Sequence, residues 1–492
     1  MDIVNAKISP DNYTRNAITV GGALGPLLTA SKDDNFRITV NDKLNDSTML
    51  KSTSVHWHGL FQHRTADMDG VAFVSQCPIA PNNSFTYHFA TAGQTGTYWY
   101  HSHYSTQYCD GLRGPIVIYD PNDPQAYLYD VDDSSTVITL ADWYHTASQL
   151  VFNKTSGVSP TPDSNLINGI GRYNGSTNDL AVISVTHGKR YRLRIVNMAC
   201  HPNYVVSIDN HTLTVIETEG TAHRPVTVDS IQIFSGQRYS VVVTANQMVG
   251  NYWIRASPST GTSGFTGGIN SAILRYVGAA KEEPSGTTQT VGTTLNETSL
   301  IPLENPGAPG GSNPADVSIN IAIAFTNASF SINGVVYKSP TVPVLLQIMS
   351  GASSVSDLLP SGSIYSLPSN KTVEITIPGG TAGAPHPFHL HGHNFHVVRS
   401  AGSTTYNYVN PPRRDVVSTG SSTSDNVTIR FQTDNPGPWF LHCHIDWHLE
   451  GGLAIVFAEN IAAQVNGTNS EIIDTEWEKL CPIYDALPSD DY

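Results

Sequence analysis

Short runs of β-branched and aromatic residues recur along the whole chain and alternate with clusters of Gly, Pro, Asn and Asp. Such runs, separated by turn residues, predict strands joined by turns. No long segment with a period of 3.6 residues interrupts them, so we expect an all-β protein. Helix is expected only around 357–360 and over 471–480. The clearest predicted strands are 36–40, 115–119, 191–196, 226–234, 239–244 and 373–378.

A pattern of aromatic strand, loop and return strand occurs three times. It begins with GTYWYHSH at 96–103 and GPWFLHCH at 437–444, whereas the middle copy, GNYWIRAS at 250–257, has Arg and Ser in place of His. Composition also changes near residue 120 and over 284–314. We therefore expect three similar β-barrels or sandwiches, with the chemistry in the outer two. The expected units are 1–122, 123–290 and 291–492.

Composition narrows the possible functions. A chain of 492 residues is long enough for about three domains. Its net charge of −15 argues against nucleic-acid and anionic-membrane partners. No run of about 18 apolar residues predicts a membrane span. A hydrophobic share of 39% argues against disorder.

Ten of the 19 histidines fall in four short groups, HWHG at 56–59, HSH at 101–103, HPFHLH at 386–391 and HCHIDWH at 442–448. Each group contains two His spaced i, i+2, which on a strand puts both rings on one face. A single closed zinc site takes about four ligands, so eight imidazoles gathered in one place predict several metals that share them. These eight residues are His56, His58, His101, His103, His389, His391, His442 and His444.

Cys443 lies between two of these histidines and, on a strand, points to the opposite face. His386 and His448 are left over from the pairs, and two His plus one Cys without a strong fourth ligand is typical of a blue-copper electron-transfer site. The neighbours of Cys443 in the chain, His442 and His444, would belong to the multi-metal site. The sequence thus predicts two metal sites joined through the backbone.

These motifs in combination resemble those of multicopper oxidases, and specifically of secreted fungal laccases, over essentially the whole chain. The resemblance is carried by HWHG (56–59), HSHYSTQYCDGLRGP (101–115), HPFHLHGH (386–393) and HCHIDWHLEGGL (442–453). It implies three cupredoxin-like Greek-key β-barrels and four copper ions, one type 1, one type 2 and two type 3. It also implies a benzenediol:oxygen oxidoreductase that takes single electrons from phenolic or aromatic amine substrates and reduces O2 to water.

The resemblance also implies which residues bind each copper. Type 1 copper would be bound by His386, Cys443 and His448, and type 2 copper by His56 and His389. The type 3 pair would be bound by His58, His101, His103, His391, His442 and His444. Leu453 falls where related oxidases have an axial Met, and because Leu cannot coordinate, a raised potential is expected.

Three residues besides the ligand His448 are candidates for catalysis. Asp69 matches a family carboxylate that is thought to relay protons beside type 2 copper, and Asp446 is a second candidate that could instead orient an imidazole. His201 stands where laccases commonly carry Asp or another small polar residue that accepts the proton of the phenol. Since a His with an ordinary pKa near 6.5 is cationic in acid, phenol oxidation is expected to shift to higher pH. The alternative is a rim histidine without a catalytic part.

Four cysteines remain, and the sequence alone allows three pairings. The resemblance implies Cys77–Cys481 and Cys109–Cys200, which require an oxidising compartment. Asn-x-Ser/Thr tripeptides along the whole chain also favour a secreted glycoprotein. The first residues lack a signal-peptide pattern, so we expect a mature, extracellular and monomeric chain. The candidate glycosylation sites are Asn12, Asn45, Asn82, Asn153, Asn174, Asn210, Asn296, Asn327, Asn370, Asn426 and Asn466.

Two other functions stay open at this point. One is another multicopper oxidase, of the ferroxidase or bilirubin oxidase type; a ferroxidase would need carboxylates beside His448 to bind Fe(II). The other is a non-catalytic copper electron carrier, which would need only His386, Cys443 and His448 and would leave the eight paired histidines unexplained. Among phenols, the sequence does not choose between lignin, pigment and toxin chemistry.

Overall fold

A computed structural model describes residues 1–285, 292–467 and 470–488, and within them 31 strands and five short α-helices. The strands form three successive units along the chain, and three large buried apolar clusters lie within and between these units. The expected all-β fold is confirmed. The expected boundary at residues 290 and 291 lies outside the described residues.

The first unit packs two four-stranded sheets face to face. Its strands are β1 (Asp2–Ile8), β2 (Arg15–Val20), β3 (Leu28–Ser31), β4 (Asn35–Asp42), β5 (Val55–His58), β6 (Ser84–Ala90), β7 (Gly96–Ser102) and β8 (Arg113–Tyr119). The sheet orders are β2-β1-β4-β6 and β3-β8-β7-β5. Along β6, buried and accessible residues alternate, which is the pattern of a strand with one face on the core. By contrast, β5 and β7 are buried at every residue because they also face the third unit.

The second unit has a six-stranded and a five-stranded sheet. Its strands are β9 (Val137–Trp143), β10 (Ser164–Ile167), β11 (Val182–Val185), β12 (Arg190–Asn197), β13 (Tyr204–Ile208), β14 (Leu213–Thr218), β15 (Thr221–Val228), β16 (Ser230–Ile233), β17 (Arg238–Thr244), β18 (Asn251–Pro258) and β19 (Ser271–Tyr276). The orders are β10-β9-β12-β17-β14-β15 and β11-β19-β18-β13-β16. The single strand expected over 226–234 is therefore wrong. The chain changes sheet at Asp229, whose carboxylate accepts from the Thr293 amide at 2.6 Å.

The third unit contains two five-stranded sheets and a two-stranded hairpin. Its strands are β20 (Val317–Asn320), β21 (Ile323–Thr326), β22 (Ser329–Ile332), β23 (Ile364–Leu367), β24 (Thr372–Pro378), β25 (Pro387–Leu390), β26 (Phe395–Arg399), β27 (Arg413–Arg414), β28 (Val416–Ser418), β29 (Asn426–Gln432), β30 (Gly437–Cys443) and β31 (Ala454–Glu459). The five-stranded orders are β20-β24-β29-β26-β27 and β23-β31-β30-β25-β28, and β21 pairs with β22.

The three copies of the sequence repeat have the same form. Each is an antiparallel pair of neighbouring strands, β7 with β8, β18 with β19 and β30 with β31. Arg255 of the middle copy takes the place of a histidine and forms an ion pair with Asp209 at 2.8 Å. The repeat therefore extends to the backbone, and only the outer copies carry histidines.

Helix is confined to short segments. The α-helices are α1 (Ser148–Val151), α2 (Val344–Met349), α3 (Asp446–Glu450), α4 (Ile461–Val465) and α5 (Leu480–Asp485). Single 3-10 turns span Ala66–Met68, Gln107–Asp110, Ala126–Leu128, Ser134–Thr136, Thr266–Gly268, Glu297–Ser299, Val355–Asp357, Thr381–Gly383 and Trp477–Lys479. Over the described residues, no helix has the length and apolar character needed to cross a bilayer.

Both helix predictions were misplaced. Around 357–360 the helical turn ends at Asp357, because Pro360 disfavours helical backbone in the residue before it. Over 471–480 the helix begins only at Trp477. The preceding residues instead lie along the first unit, where the Glu471 carboxylate accepts from the Ala66 amide at 2.9 Å.

Two disulfides join parts of the chain that are far apart in sequence. Cys77 is bonded to Cys481, which ties α5 to the first unit, and Cys109 is bonded to Cys200, which ties the first unit to the second. Cys443 is a free, buried cysteine.

Candidate metal centres

Strand pairing brings the eight paired histidines together between the first and third units. Pairing of β5 with β7 places His56 opposite His101, and pairing of β25 with β30 places His389 opposite His442. The second histidine of each pair ends its strand or follows it by one residue. Because residues two apart on a strand share a face, all eight rings point to one place.

The histidine nitrogens form three groups within 4.8 Å, two of which share His58, and each group contains residues of both outer units. His58 Nδ1 lies 3.2 Å from His444 Nε2, and His391 Nε2 lies 3.1 Å from His442 Nε2. Neither unit could form this cluster alone. The groups are His56, His58 and His389; His58, His101 and His444; and His103, His391 and His442.

The outer ring nitrogens of most of these histidines donate to oxygens around the cluster. His56 Nδ1 donates to the Asp69 carbonyl at 2.7 Å, and His389 Nδ1 donates to the Asp415 carbonyl at 2.9 Å. His101 Nδ1 and His442 Nδ1 donate to the carbonyls of Ser102 and Cys443. A neutral imidazole that donates outward carries its lone pair on the inner nitrogen, as a metal ligand requires.

Burial favours the neutral form of seven of these eight rings. Burial is the largest cause of the lowered pKa of His442, which falls to about 3. It also lowers the pKa of six other rings far from the ordinary value. Neighbouring imidazoles add to the effect, because two cations would repel each other. The rings with a strongly lowered pKa are His58, His101, His103, His389, His391 and His444.

Among the residues that the structure describes, four of the inner nitrogens have no hydrogen-bond partner although they are buried, namely Nε2 of His56, His101, His103 and His389. Buried polar atoms are normally satisfied, so four orphaned lone pairs facing one point call for a bound cation. Imidazole nitrogen is a suitable donor for copper and zinc. The residues of this cluster therefore fit a group of metal ions that share ligands.

A second, separate group lies on the opposite side of β30. Cys443 Sγ lies 3.6 Å from Nδ1 of both His386 and His448, and these two nitrogens are 3.0 Å apart. The outer nitrogen of His386 donates to the Thr381 carbonyl at 2.8 Å. Burial raises the pKa of the Cys443 thiol, so the thiolate forms only when a cation binds. This donor set fits a blue-copper site.

Apolar side chains close this second group. Leu453 is fully buried in the same apolar cluster as Cys443, and its carbonyl accepts from the Cys443 amide at 3.1 Å. The ring of Phe330 lies 4.7 Å from that of His448 and 5.6 Å from that of His386. Sequence reasoning missed Phe330, because a single aromatic residue in a hairpin has no distinguishing signal.

The two candidate carboxylates lie in different places. Asp69 adjoins the histidine cluster, where its Oδ2 accepts from His391 Nδ1 at 2.9 Å and its Oδ1 has no hydrogen-bond partner. Asp446 begins α3, two residues before His448, and contacts Sγ of the Cys109–Cys200 disulfide at 3.3 Å. Burial raises the pKa of Asp446 well above its ordinary value.

His201 lies beside the second group, with its ring 6.2 Å from that of His448. Its amide donates to Asp142 at 3.1 Å, and its Nδ1 donates to the Pro160 carbonyl at 3.3 Å. Nε2 is then the acceptor. Burial lowers the pKa of His201, so the neutral ring persists to lower pH than the ordinary value suggests. The expected shift of phenol oxidation to higher pH is correspondingly smaller.

Sequence reasoning also missed Asp415 and Arg238. Asp415 accepts from His58 and His389, and Arg238 binds both carboxylate oxygens of Asp415. Neither residue belongs to a histidine motif.

A cavity of about 840 Å³ lies at the junction of the three units, and its lining includes none of the histidines predicted to bind metal.

Sequence models described as multicopper oxidase match residues 2–123, 134–279 and 337–463. The chain is 58% identical to Laccase-1 of Pleurotus ostreatus over 506 aligned residues, which cover 100% of this chain and 93% of that protein. It is 57% identical to a laccase of Phlebia radiata over 501 residues, which cover 100% of this chain and 94% of that protein.

Solved structures agree with these matches. The laccase of Botrytis aclada superposes with a TM-score of 0.86 at 34% identity, covering 99% of this chain and 91% of that one. Fet3p, described as a multicopper oxidase that functions in iron import, superposes with a TM-score of 0.85 at 27% identity, covering 99% and 95%.

With the two ligand clusters, these similarities show that the chain belongs to the multicopper oxidase family and has its three cupredoxin-like Greek-key β-barrels. Within that family its full-length relatives are fungal laccases, and the chain is a copper oxidoreductase of the laccase type. Another oxidase type or a non-catalytic carrier is not favoured.

Proposed function

We propose that the chain oxidises phenols and aromatic amines one electron at a time and reduces O2 to water, with four copper ions. Type 1 copper would be held by His386, Cys443 and His448, and type 2 copper by His56 and His389. The two type 3 ions would be held by His58, His101, His103, His391, His442 and His444. The barrels would span 1–122, 123–290 and 291–492, with no copper in the second.

One observation carries this proposal, which is the position of Cys443 between His442 and His444 on a strand buried on both faces. Its side chain faces His386 and His448, whereas both neighbours in the chain face the histidine cluster. A single peptide unit on either side thus connects the two groups. An electron carrier would need only the group of His386, Cys443 and His448, and the cluster of eight histidines is the one suited to O2.

Copper at these sites would supply the one-electron and O2 chemistry that side chains lack. At the group of His386, Cys443 and His448, the chain would exclude water and offer the substrate an edge to contact. Phe330 covers His448 and His386, and His201 stands on another side of His448. A phenol between His201 and His448 would find a neutral Nε2 to accept its proton as the electron leaves.

Proton supply to the cluster would come from the two aspartates. O2 reduction consumes protons, and Asp69 Oδ1 is a buried, unpartnered oxygen beside His56 and His391. Asp446 lies close to His444 in the chain, and burial raises its pKa, so it holds a proton in the folded chain. Asp446 can therefore supply a proton near His444, and Asp69 places a carboxylate oxygen beside His56 and His391.

Oxidation of Fe(II) has less support at the group of His386, Cys443 and His448. The acidic residue on α3 nearest the surface, Glu450, forms an ion pair with Lys154 and accepts from the Ser105 hydroxyl at 3.0 Å. Asp446 faces the disulfide. Apolar and imidazole groups thus surround His448, which suits an aromatic substrate better than Fe(II).

The proposal includes secretion, so that the enzyme acts outside the cell. Two disulfides and the candidate glycosylation sites suit a secreted enzyme, which we propose is a monomer. Ten of the eleven candidate asparagines are exposed. Asn426 is the least suited, because it is half-buried and its Oδ1 accepts from Arg399 at 2.5 Å. The tripeptide at Asn466 ends at Thr468, which lies outside the described residues.

The test is O2 uptake by the purified chain with a simple phenol and with Fe(II), together with its visible spectrum and copper content. We expect fast uptake with the phenol, slow uptake with Fe(II), and an intense thiolate-to-copper band that Cys443→Ser abolishes. Uptake driven by Fe(II) alone, or a blue chain that takes up no O2, would overturn the proposal.

A further inference from the structure

Asp415 contacts one histidine of each outer unit. Its carboxylate Oδ1 lies 3.2 Å from His58 Nε2, and its backbone carbonyl accepts from His389 Nδ1 at 2.9 Å. These are the outer nitrogens of both rings, since His58 Nδ1 faces His444 in the cluster. One residue therefore sets the orientation of two rings.

Asp69 makes an equivalent pair of contacts with two further histidines of the cluster, His56 and His391. Its carbonyl accepts from His56 Nδ1 at 2.7 Å, and its carboxylate accepts from His391 Nδ1 at 2.9 Å. In both aspartates the carbonyl serves one histidine and the carboxylate the other. The four rings are thus held by two equivalent aspartates, one from each outer unit.

The two aspartates differ in what holds them. Within the described part of the chain, Asp69 Oδ1 has no hydrogen-bond partner, whereas both oxygens of Asp415 are bound by the guanidinium of Arg238, at 2.6 and 2.7 Å. Arg238 is fully buried and belongs to β17 of the middle unit. A bidentate Arg–carboxylate pair fixes the plane of the carboxylate, which a single contact does not.

Arg238 is itself held by the first unit and by the turn that precedes it in its own unit. Its Nε donates to the Thr97 carbonyl of β7 at 2.9 Å, and its Nη1 also donates to the Gly236 carbonyl at 3.0 Å. A Cβ at Gly59, the last residue of the HWHG motif, would lie 2.5 Å from Arg238 Nη2 and 2.8 Å from Asp415 Oδ2. The glycine therefore leaves room for the guanidinium beside His58.

The turn before Arg238 touches the cluster as well. A Cβ at Gly236 would lie 2.9 Å from His444 Cδ2 and 3.1 Å from His58 Cε1. Glu219, also of the middle unit, accepts from the Asp415 and Val416 amides at 2.7 and 2.9 Å. The middle unit thus surrounds Asp415 on its side chain and its backbone.

We propose that Arg238 is a positioning residue for the multi-copper cluster. It locks Asp415, and Asp415 in turn orients His58 and His389. The middle unit, which has no copper ligand of its own, would in this way set the geometry of a site built by the two others. This inference rests on the proposed copper cluster.

The test compares three variants of the full copper-loaded chain. Arg238→Met removes the ion pair with Asp415, and Arg238→Lys keeps the charge but cannot bind both carboxylate oxygens in one plane. Arg194→Met is the matched control. Arg194 lies on the neighbouring strand β12, is buried, binds Asp132 through two nitrogens at 2.7 and 2.6 Å and also contacts Thr97, but it contacts no copper-site histidine.

The measurements are copper per chain after dialysis against a chelator, the type 2 copper resonance signal, and the blue band as an internal reference. We expect both Arg238 variants to keep the blue band, to change the type 2 signal and to hold cluster copper about 10- to 100-fold more weakly. Arg194→Met should match the parent chain in all three.

Several outcomes would overturn the inference. One is an Arg238→Lys chain with the parent's type 2 signal and copper retention, and this variant decides the matter if Arg238→Met does not fold. Another is equal copper loss in Arg194→Met, which would make the effect a general one of broken ion pairs. A parent chain that binds copper only at the blue site would instead contradict the proposed function.

Discussion

The Cys443 amide donates to the Leu453 carbonyl at 3.1 Å, so the residue that would bind type 1 copper and the residue expected on its axis are joined by the backbone. The Leu453 amide donates in turn to the His448 carbonyl at 3.0 Å. Both side chains are fully buried in one apolar cluster. The position of Leu453 relative to the donor set is therefore fixed by the strand and helix that carry the ligands.

Replacement of Leu453 by Met should lower the reduction potential of the blue site. A thioether can act as a weak axial ligand and favours Cu(II), whereas Leu offers no donor. Because Leu and Met have similar volumes, the cost in stability should stay below about 1.5 kcal/mol. Redox titration of the blue band measures the effect. An unchanged potential in a folded Leu453→Met chain would show that Leu453 is not axial.

Replacement of His201 by Asp should extend phenol oxidation to lower pH. A histidine accepts the phenol proton only above its own pKa, whereas a carboxylate with an ordinary pKa near 3.9 accepts it in more acidic solution. Burial lowers the pKa of His201, so the displacement should be smaller than the ordinary values suggest. The measurement is the pH profile of kcat/KM for a phenol.

An aromatic ether, which has no phenolic proton to release, is the control substrate for this variant. Its profile should be the same for the parent chain and His201→Asp. If the phenol profile does not move either, His201 is a rim residue without a part in proton transfer.

Much of the geometry of the two donor groups could be predicted because it follows from local spacing. An i, i+2 pair such as His56 and His58 is visible within three residues, and its geometry follows from the strand alone. The odd Cys443 between two histidines is visible in the same way. The fold class follows from turn residues and alternation, which are local as well.

What could not be predicted depends on pairs that are distant in the chain. Arg238 and Asp415 are 177 residues apart, and neither lies in a motif that marks it, since Asp415 only follows Arg413 and Arg414 in the chain. Their ion pair forms only after the units have packed. Burial lowers the pKa of His201, and this burial likewise arises only when distant segments such as those of Pro160 and Asp142 pack against it, so the lowered pKa has no local signal. Even the break at Asp229 follows from the closure of the barrel.

Replacement of Asp142 by Asn should destabilise the fold and weaken substrate binding. Asp142 Oδ1 binds the buried Arg113 at 3.0 Å, and Oδ2 accepts from the His201 amide and the Tyr144 hydroxyl. Asn leaves Arg113 buried without its counterion, which costs about 3–5 kcal/mol. The support of the His201 backbone is weakened at the same time, so KM for a phenol should rise.

Denaturant unfolding and phenol kinetics measure the two effects of Asp142→Asn. The control is Asp209→Asn, which breaks the ion pair with Arg255 inside the middle unit. That variant should lose stability and keep its KM. A rise of KM in both variants, or in neither, would mean that Asp142 supports the fold and not the substrate pocket.

Replacement of Asp42 by Asn should stabilise the chain in alkaline but not in acidic solution. Asp42 is buried and its Oδ1 accepts from the Leu44 amide at 2.9 Å, whereas its Oδ2 has no hydrogen-bond partner within 1–285, 292–467 and 470–488. Burial raises the pKa of Asp42 to about 8. Between pH about 4 and 8 the folded chain holds this proton while the unfolded chain, with an ordinary pKa near 3.9, has released it. Stability therefore falls as pH rises through this range.

Asn is a permanent copy of the protonated form, so Asp42→Asn removes this loss. We expect equal unfolding midpoints at pH 4 and a variant more stable by a few kcal/mol, in order of magnitude, at pH 8. Asp33→Asn, on an exposed turn, makes the same change in net charge and should shift neither midpoint. Urea unfolding of the three chains at both pH values decides the point. A stability gain of Asp42→Asn that is equal at pH 4 and pH 8 would show that the folded chain does not retain this proton, because only a retained proton makes the difference between the two chains depend on pH.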